Sequence, residues 1–303
     1  MKSTFGSHSR RIAVLLLNLL FSCRFVLRFI GWLNRRGHFI ASVFVAYPAT
    51  EDYALAYVYP RHRHWMRWTP WLVGLLYQDG RWGLMFVISA TEADFSAADS
   101  LLNLRHLVAR TDELRQLLGA THMSFAGVLP GILFSRRIIR DSPEADTTVE
   151  AIFRAEEHVR TREGYDASVP LIILGGHGFI GRRLVRRLAG RQIHSVDPAS
   201  TCNGSWPHHL RGTRAVLINV SRRATLHGYF AHLWPSLIII NEVYLEPSAT
   251  EIAALTDIGS TLYHVVGIAG EAYPPFPSIY AAAIPCCAAR LTDNMQAVVH
   301  RLN

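Results

Sequence analysis

The sequence predicts an α/β protein: a mixed α/β N-terminal domain, then a doubly wound parallel sheet, then a C-terminal helix. Three observations predict it. Near-continuous aliphatic runs at 168–176, 214–221, 236–243 and 261–270 alternate with helical stretches, as in parallel strands covered by helices on both faces. The first of these runs leads into four glycines within seven residues, GGHGFIG at 175–181. The chain of 303 residues is long enough for two domains with separate cores.

Half of the residues are apolar and 18% are charged, a globular rather than a disordered composition. The net charge is +8, and Lys2 is the only lysine. Schiff-base and lysine general-acid chemistry are therefore excluded from the body of the chain. A positive surface favours acidic partners such as phosphorylated cofactors, acidic carrier proteins or anionic lipid. No pattern points to nucleic acid. Cys23, Cys202, Cys286 and Cys287 fit neither a zinc spacing nor a disulfide framework, which agrees with a reducing cytoplasm. The pairs His62/His64 and His208/His209 lie in no His-Glu-x-x-His frame, and no metal is expected.

The first element, 1–37, is an apolar and basic helix. IAVLLLNLLFSC at 12–23 is too short to span a bilayer, and its continuation to Arg36 carries Arg24 and Arg28. Arg24, Arg28 and Arg35 share one helical face, the pattern of an amphipathic helix lying on a membrane surface. A helix packed on its own domain is the alternative.

From 38 to 165 a mixed α/β substrate domain is expected. HFIASVFVAYPA (38–49) and RWGLMFVISATE (81–92) read as strands, with an Asp79–Gly80 turn signal before the second. Residues 97–118 have helical periodicity, and Gly119 suits the stop. THMSFAGVLPGILF (121–134) reads as a buried strand with a tight turn, and 143–160 as a helix.

The dinucleotide-type domain spans 166–277. SVPLIILGG (168–176) is a strand, GFIGRRLVRRLAG a helix closed by Gly190, and RQIHSVD (191–197) a strand. Strands at 214–221, 236–243 and 261–270 follow, joined by helical stretches near 223–233 and 248–257. Residues 278–303 read as a closing helix.

The glycines satisfy two frames, Gly176-x-Gly178-x-x-Gly181 and Gly175-x-x-Gly178-x-x-Gly181. A strand precedes them, a helix follows, and the second strand ends in Asp197. In a Rossmann-type domain these glycines make the tight turn, admit a pyrophosphate and let helix pack on strand. The loop residues Gly175, Gly176, His177, Gly178, Phe179, Ile180 and Gly181 are the expected cofactor contacts. Asp197 stands where an acid bonds both ribose hydroxyls, which favours NAD; Arg182 and Arg183 keep NADP open. In open parallel sheets ligands lie at the carboxyl ends of the strands. Asn219 and Ser221 there are expected beside the nicotinamide ribose. Glu242, Tyr244 and His264 are candidate acid–base groups. Pro285 at a helix start would put Cys286 and Cys287 in its first turn, where a thiolate could attack a thioester or aldehyde.

GGHGFIG at 175–181, INVSR at 218–222 and NEVYLEP at 241–247 followed by GSTLYHVVGIAG make the second half similar to the dinucleotide-binding domains of the shikimate-dehydrogenase-like superfamily. In layout it resembles the acyl-(acyl-carrier-protein) reductases of that group. The resemblance covers 168–270 and is poor before 118. It implies NAD or NADP as cofactor and a small-molecule or carrier-bound acyl substrate. The lysine–aspartate pair of shikimate dehydrogenases has no counterpart, because no lysine is present there.

Together these readings give an NAD(P)-dependent oxidoreductase acting on a carbonyl, alcohol or thioester group of a mainly apolar, acyl-type substrate. The other reading is a non-catalytic dinucleotide-binding sensor or membrane-surface scaffold. The localisation expected is cytoplasmic, peripheral at the inner membrane face if 1–37 meets lipid. A homodimer stays open.

Overall fold

The computed structural model describes residues 4–21, 23–48, 59–60, 63–197, 205–222 and 225–303; Cys202 and His62 lie outside the described residues. The chain divides into two units, Met1–Glu144 with Gly270–Arg290, and Ala145–Ala269 with Leu291–Asn303. This division differs from the sequence-based boundaries, since the helix opening at Pro143 belongs mostly to the second unit.

The first unit begins with helices α1 (Thr4–Phe21) and α2 (Arg24–Gly37). In place of the expected single helix there are two, with an angle of 81° between them. Among the described residues no single helix is long and apolar enough to cross a membrane. Strands β1 (Ile40–Ala46), β2 (Trp71–Gln78) and β3 (Arg81–Val87) follow. Next come the short helix α3 (Glu92–Ser96), α4 (Leu101–Leu118), β4 (His122–Phe125) and α5 (Leu129–Ser135). β1 runs parallel to both β3 and β4. β2 and β3 form an antiparallel hairpin, turned by Asp79 and Gly80, both at positive φ, as a twisted two-residue hairpin loop requires. Leu104, Leu107, Leu114 and Leu118 of α4 are buried with Val43, Val45 and Phe86, the i, i+3, i+7 stripe of a core-facing helix. Gly119 closes α4 at φ 64°, the left-handed stop a glycine takes at low cost. Two expectations are corrected here. Residues 71–78 form a strand that the sequence had signalled only by its turn. The second half of 121–134 is helical, because Pro130 occupies a first-turn position where its missing N–H is no loss.

The second unit is built on α6 (Pro143–Arg162), β5 (Leu171–Leu174), α7 (Gly181–Arg187), β6 (Ile193–Val196), β7 (Ala215–Asn219), β8 (Leu237–Asn241), α8 (Ala249–Ile258) and β9 (Thr261–Ala269). The strands pair in parallel in the order β9-β8-β7-β5-β6. Counted from β5 this is the 2-1-3-4-5 order of doubly wound sheets, with its switch point between β5 and β7. β5, β7 and β8 are buried along their whole length, which explains their near-continuous aliphatic sequence. The Rossmann-type α/β class read from the sequence is present. α6 is tied into this unit by a buried ion pair: Arg160 Nε lies 2.5 Å from Glu156 Oε1, and Arg191 Nη1 approaches the same oxygen at 3.4 Å.

The C-terminal helix is not formed. Residues Glu271–Tyr273 make β10, which pairs antiparallel with β2 in the first unit. A 3₁₀ turn (Ser278–Ala282), the two-residue β11 (Ala283–Ile284) and a second 3₁₀ turn (Cys286–Ala288) follow. The chain ends in β12 (Ala297–Arg301), antiparallel to β9. Pro285 removes a donor from within the 278–303 stretch, and the β-branched pair Val298–Val299 gains a ladder with β9 that a helix would forfeit.

Candidate functional site

The glycine loop leaves the carboxyl end of β5 at the switch point of the second unit's sheet. Gly175 and Gly176 N–H groups both point to the carbonyl of Val196, at 2.7 and 3.4 Å, and Gly178 N–H donates to Gly175 O at 2.9 Å. Helical bonding into α7 starts at once, from Arg182 N–H to Gly178 O at 3.1 Å. The glycines have separable reasons. Gly175 has φ +91°, and a Cβ there would stand 2.9 Å from both Cα and N of Ser221. A Cβ on Gly176 would meet Ser195 Cβ at 2.7 Å. A Cβ on Gly181 would overlap the Gly175 carbonyl, so only glycine lets α7 begin against the turn. Gly178 differs: the Gly175 carbonyl oxygen at 3.0 Å is the one neighbour its Cβ would meet. His177 is exposed, and Phe179 and Ile180 are half-buried. Arg183 lies over the Phe179 ring at 4.1 Å and donates to the Phe179 carbonyl at 3.0 Å; Arg182 is exposed.

Asp197 follows β6 directly, at the carboxyl edge of the strand beside β5. Its charge acts on Tyr229, whose phenol is raised above its usual range by burial first and Asp197 second. Tyr229 stacks on Trp206 at 5.2 Å. Neither aromatic was singled out by the sequence, which placed only a helical stretch there.

The next three strand ends carry one chain of polar side chains. Ser221 Oγ donates to Asn219 Oδ1 at 2.5 Å, Asn219 Nδ2 donates to Asn241 Oδ1 at 2.7 Å, and Asn241 Nδ2 lies 3.1 Å from His264 Nδ1. The parallel register sets this up, since Asn219 pairs with Asn241 and Asn241 with His264. His264 is fully buried, and burial pushes its pKa down to about 4. It is therefore neutral, and its Nδ1 accepts from Asn241. Every donor in the chain points away from Ser221, whose single hydroxyl proton is spent on Asn219. Its remaining lone pairs are acceptors for a ligand hydroxyl. Asn219 is buried, with its side chain bonded to Ser221 on one side and Asn241 on the other. Asn241 completes the chain and was not among the expected site residues. Glu242, just beyond β8, has its pKa raised to about 8 by the packing around its carboxyl, although part of the residue reaches solvent. Tyr244 is exposed.

Cys286 and Cys287 belong to the first unit, in a single 3₁₀ turn after Pro285. No helix starts there, so the dipole expected to lower a thiol pKa is missing. Cys286 is buried and Cys287 half-buried, with Cys287 near enough to Tyr47 to act on its phenol. Among the described residues no three His, Cys, Asp or Glu side chains group as a metal site would need.

No family model matches the chain, and no curated protein matches it. Solved structures similar to it include a shikimate dehydrogenase in complex with NADP+, at 10% identity over 74% of this chain and 84% of that one, TM-score 0.41. Another is the shikimate 5-dehydrogenase of Listeria monocytogenes in complex with shikimate and NAD, at 12% identity over 75% and 86%, TM-score 0.40. A third is the L-tryptophan dehydrogenase of Nostoc punctiforme, at 13% identity over 74% and 69%, TM-score 0.34.

Proposed function

We propose that the second unit binds a nicotinamide dinucleotide at the Gly175–Gly181 loop and that the chain is an NAD(P)-dependent oxidoreductase. The observation that carries this is the contrast among the glycines: at Gly175, Gly176 and Gly181 a Cβ would stand under 3.0 Å from its neighbours, while at Gly178 it would meet one carbonyl oxygen at 3.0 Å, and the middle glycine of such a loop is the one that admits a diphosphate. Asp197 at the end of the adjoining strand accepts from the two hydroxyls of an adenosine ribose and repels a 2′-phosphate, so NAD is the favoured form. The Ser221 oxygen accepts from the second ribose, held by Asn219, Asn241 and His264. The bound cofactor supplies the hydride chemistry; the chain orients it.

The substrate class is a carbonyl or thioester on a mainly apolar, acyl-type molecule, supported by the aromatic-rich sequence of the first unit. A covalent cysteine step is not part of the reading, because the helix that would activate Cys286 or Cys287 is absent. A second reading is favoured by the burial of His264, which removes it from contact with substrate. It is a dinucleotide sensor that binds without turnover. NADH deuterated at C4, incubated with aliphatic aldehydes and acyl thioesters, separates the two. Deuterium in an alcohol or aldehyde product supports the oxidoreductase. Saturable NADH binding with no transfer to any member supports the sensor.

A further inference from the structure

α1 and α2 are each pinned on one side and bare on the other. On the inner side Asn18 of α1 brackets Leu72 of β2: its Nδ2 donates to Leu72 O at 2.8 Å and its Oδ1 accepts from Leu72 N–H at 2.8 Å. In α2, Asn34 is buried and donates to the carbonyls of Ile40, Leu118 and Gly119 at 2.9–3.0 Å while accepting from Ile40 N–H at 2.7 Å. Leu27 and Gly31 are buried beside it, and a Cβ on Gly31 would overlap the Leu117 carbonyl. The outer sides are apolar. Leu16 and Leu19 of α1 are 58% and 63% exposed, and Phe25, Phe29 and Trp32 of α2 are 77%, 53% and 47% exposed. The positions 25, 29 and 32 form one stripe at helical spacing. An open groove of about 640 Å³ runs between that stripe and α4, with Arg28 and Arg35 on its walls. Arg36 lies 3.8 Å over the Trp32 ring.

Charge identifies what covers this face. Residues 1–37 carry one lysine, six arginines and no acid. Glu113, the acid of the groove, is already paired with Arg24 and with Arg110. A second copy meeting this face by a two-fold axis would set arginines against arginines. Crossing a bilayer would strip Asn18 and Asn34 of their backbone partners, which hydrocarbon cannot replace. An anionic bilayer surface meets both demands: phosphates for the arginines, and the headgroup boundary for Phe and Trp, where aromatic side chains sit best. We infer that the outer face of α1 and α2 docks the full chain on an anionic lipid surface, with Phe25, Phe29 and Trp32 entering the headgroup layer. This is independent of the dinucleotide reading.

The test is co-sedimentation of the full chain with vesicles of phosphatidylcholine alone and of phosphatidylcholine with 30% (about one lipid in three) phosphatidylserine, at low and high salt. The expected result is binding to the anionic vesicles that falls by roughly tenfold or more at high salt or on neutral vesicles. The variant Phe25→Ser/Phe29→Ser/Trp32→Ser should lose roughly tenfold or more on anionic vesicles, with an unchanged circular dichroism spectrum because these side chains make the outer face. Arg28→Glu/Arg36→Glu should remove the preference for phosphatidylserine. Folded wild-type chain that stays in the supernatant, or a folded aromatic variant that binds as the wild type does, overturns the inference. So does a dimer in light scattering that the aromatic variant dissolves.

Discussion

Gly175 rests against the backbone of Ser221. The end of β5 and the segment leaving β7 come so close that a side chain at 175 would meet Ser221 Cα and N at 2.9 Å, at a φ of +91° that L residues rarely adopt. This contact places the glycine loop beside the serine whose hydroxyl is oriented by the buried Asn219–Asn241–His264 chain. It also predicts that glycines of one motif respond differently to mutation. Gly175→Ala should destabilise the second unit by about 2–4 kcal/mol, from backbone strain and overlap together. Gly178→Ala, with one carbonyl to accommodate, should stay within about 1 kcal/mol of the wild type. Urea unfolding of the two variants checks this; equal losses would mean the contact is not as described.

The proposed ribose contact makes Asp197 the determinant of cofactor choice. Asp197→Ala should lower NADH affinity by about one order of magnitude, the worth of a charge-assisted pair of hydrogen bonds. NADPH affinity should stay the same or rise, because the repulsion of a 2′-phosphate is gone. The ratio of the two dissociation constants is the readout, and an unchanged ratio would place the ribose elsewhere.

His264 gives the second unit an acid-sensitive core. Its pKa falls from 6.5 in the unfolded chain to about 4 in the fold, so the unfolded state binds a proton first as pH drops. The stability contributed by the neutral, buried ring is present above pH 6.5 and is lost as pH falls towards 4, by up to about 3 kcal/mol. Glu242, raised from 4.5 to about 8, has the opposite slope: its contribution is present below pH 4.5 and is lost as pH rises through 8. The comparison of wild type with His264→Phe isolates the histidine: relative to the variant, the wild type should lose unfolding free energy as pH falls from 7 to 4.5. Parallel pH curves would show that His264 does not titrate as described.

The Glu156–Arg160–Arg191 cluster holds α6 in the second unit. Glu156 is fully buried and Arg160 nearly so, and deleting one partner leaves a buried charge uncompensated. Arg160→Met should therefore cost about 3–5 kcal/mol. The paired change Glu156→Leu/Arg160→Met should cost less than Arg160→Met alone, since the fully buried carboxylate is removed and the charge left behind is the partly exposed Arg191. Thermal unfolding of the three proteins checks the order.

The fold was most legible where one signal sufficed. Long aliphatic strands and a glycine loop between strand and helix announced the parallel sheet, and Asp197 stood at the strand end where the motif requires an acid. The N-terminal helices were legible in composition but not in shape. Nothing in IAVLLLNLLFSC marks Asn18 as the residue that brackets Leu72, or Cys23 as lying just beyond a break. The difference at the end of the chain has a plainer cause. Residues 278–303 read as a helix, while the pairing of Val298 and Val299 with β9 is a tertiary gain that no local pattern shows. The chain from Ser221 to His264 lay in between. Its strand ends could be named from sequence, but the contact of Asn219 with Asn241, and of Asn241 with His264, depends on register.

The most direct measurement is a calorimetric titration of NADH and NADPH into the wild-type chain and into Gly178→Val, each checked by thermal unfolding. The expected result is saturable binding to the wild type with NADH preferred, and a loss of roughly tenfold or more in the variant at a nearly unchanged melting temperature. A wild type that binds neither nucleotide, or a folded Gly178→Val that binds NADH as tightly as the wild type, would contradict it.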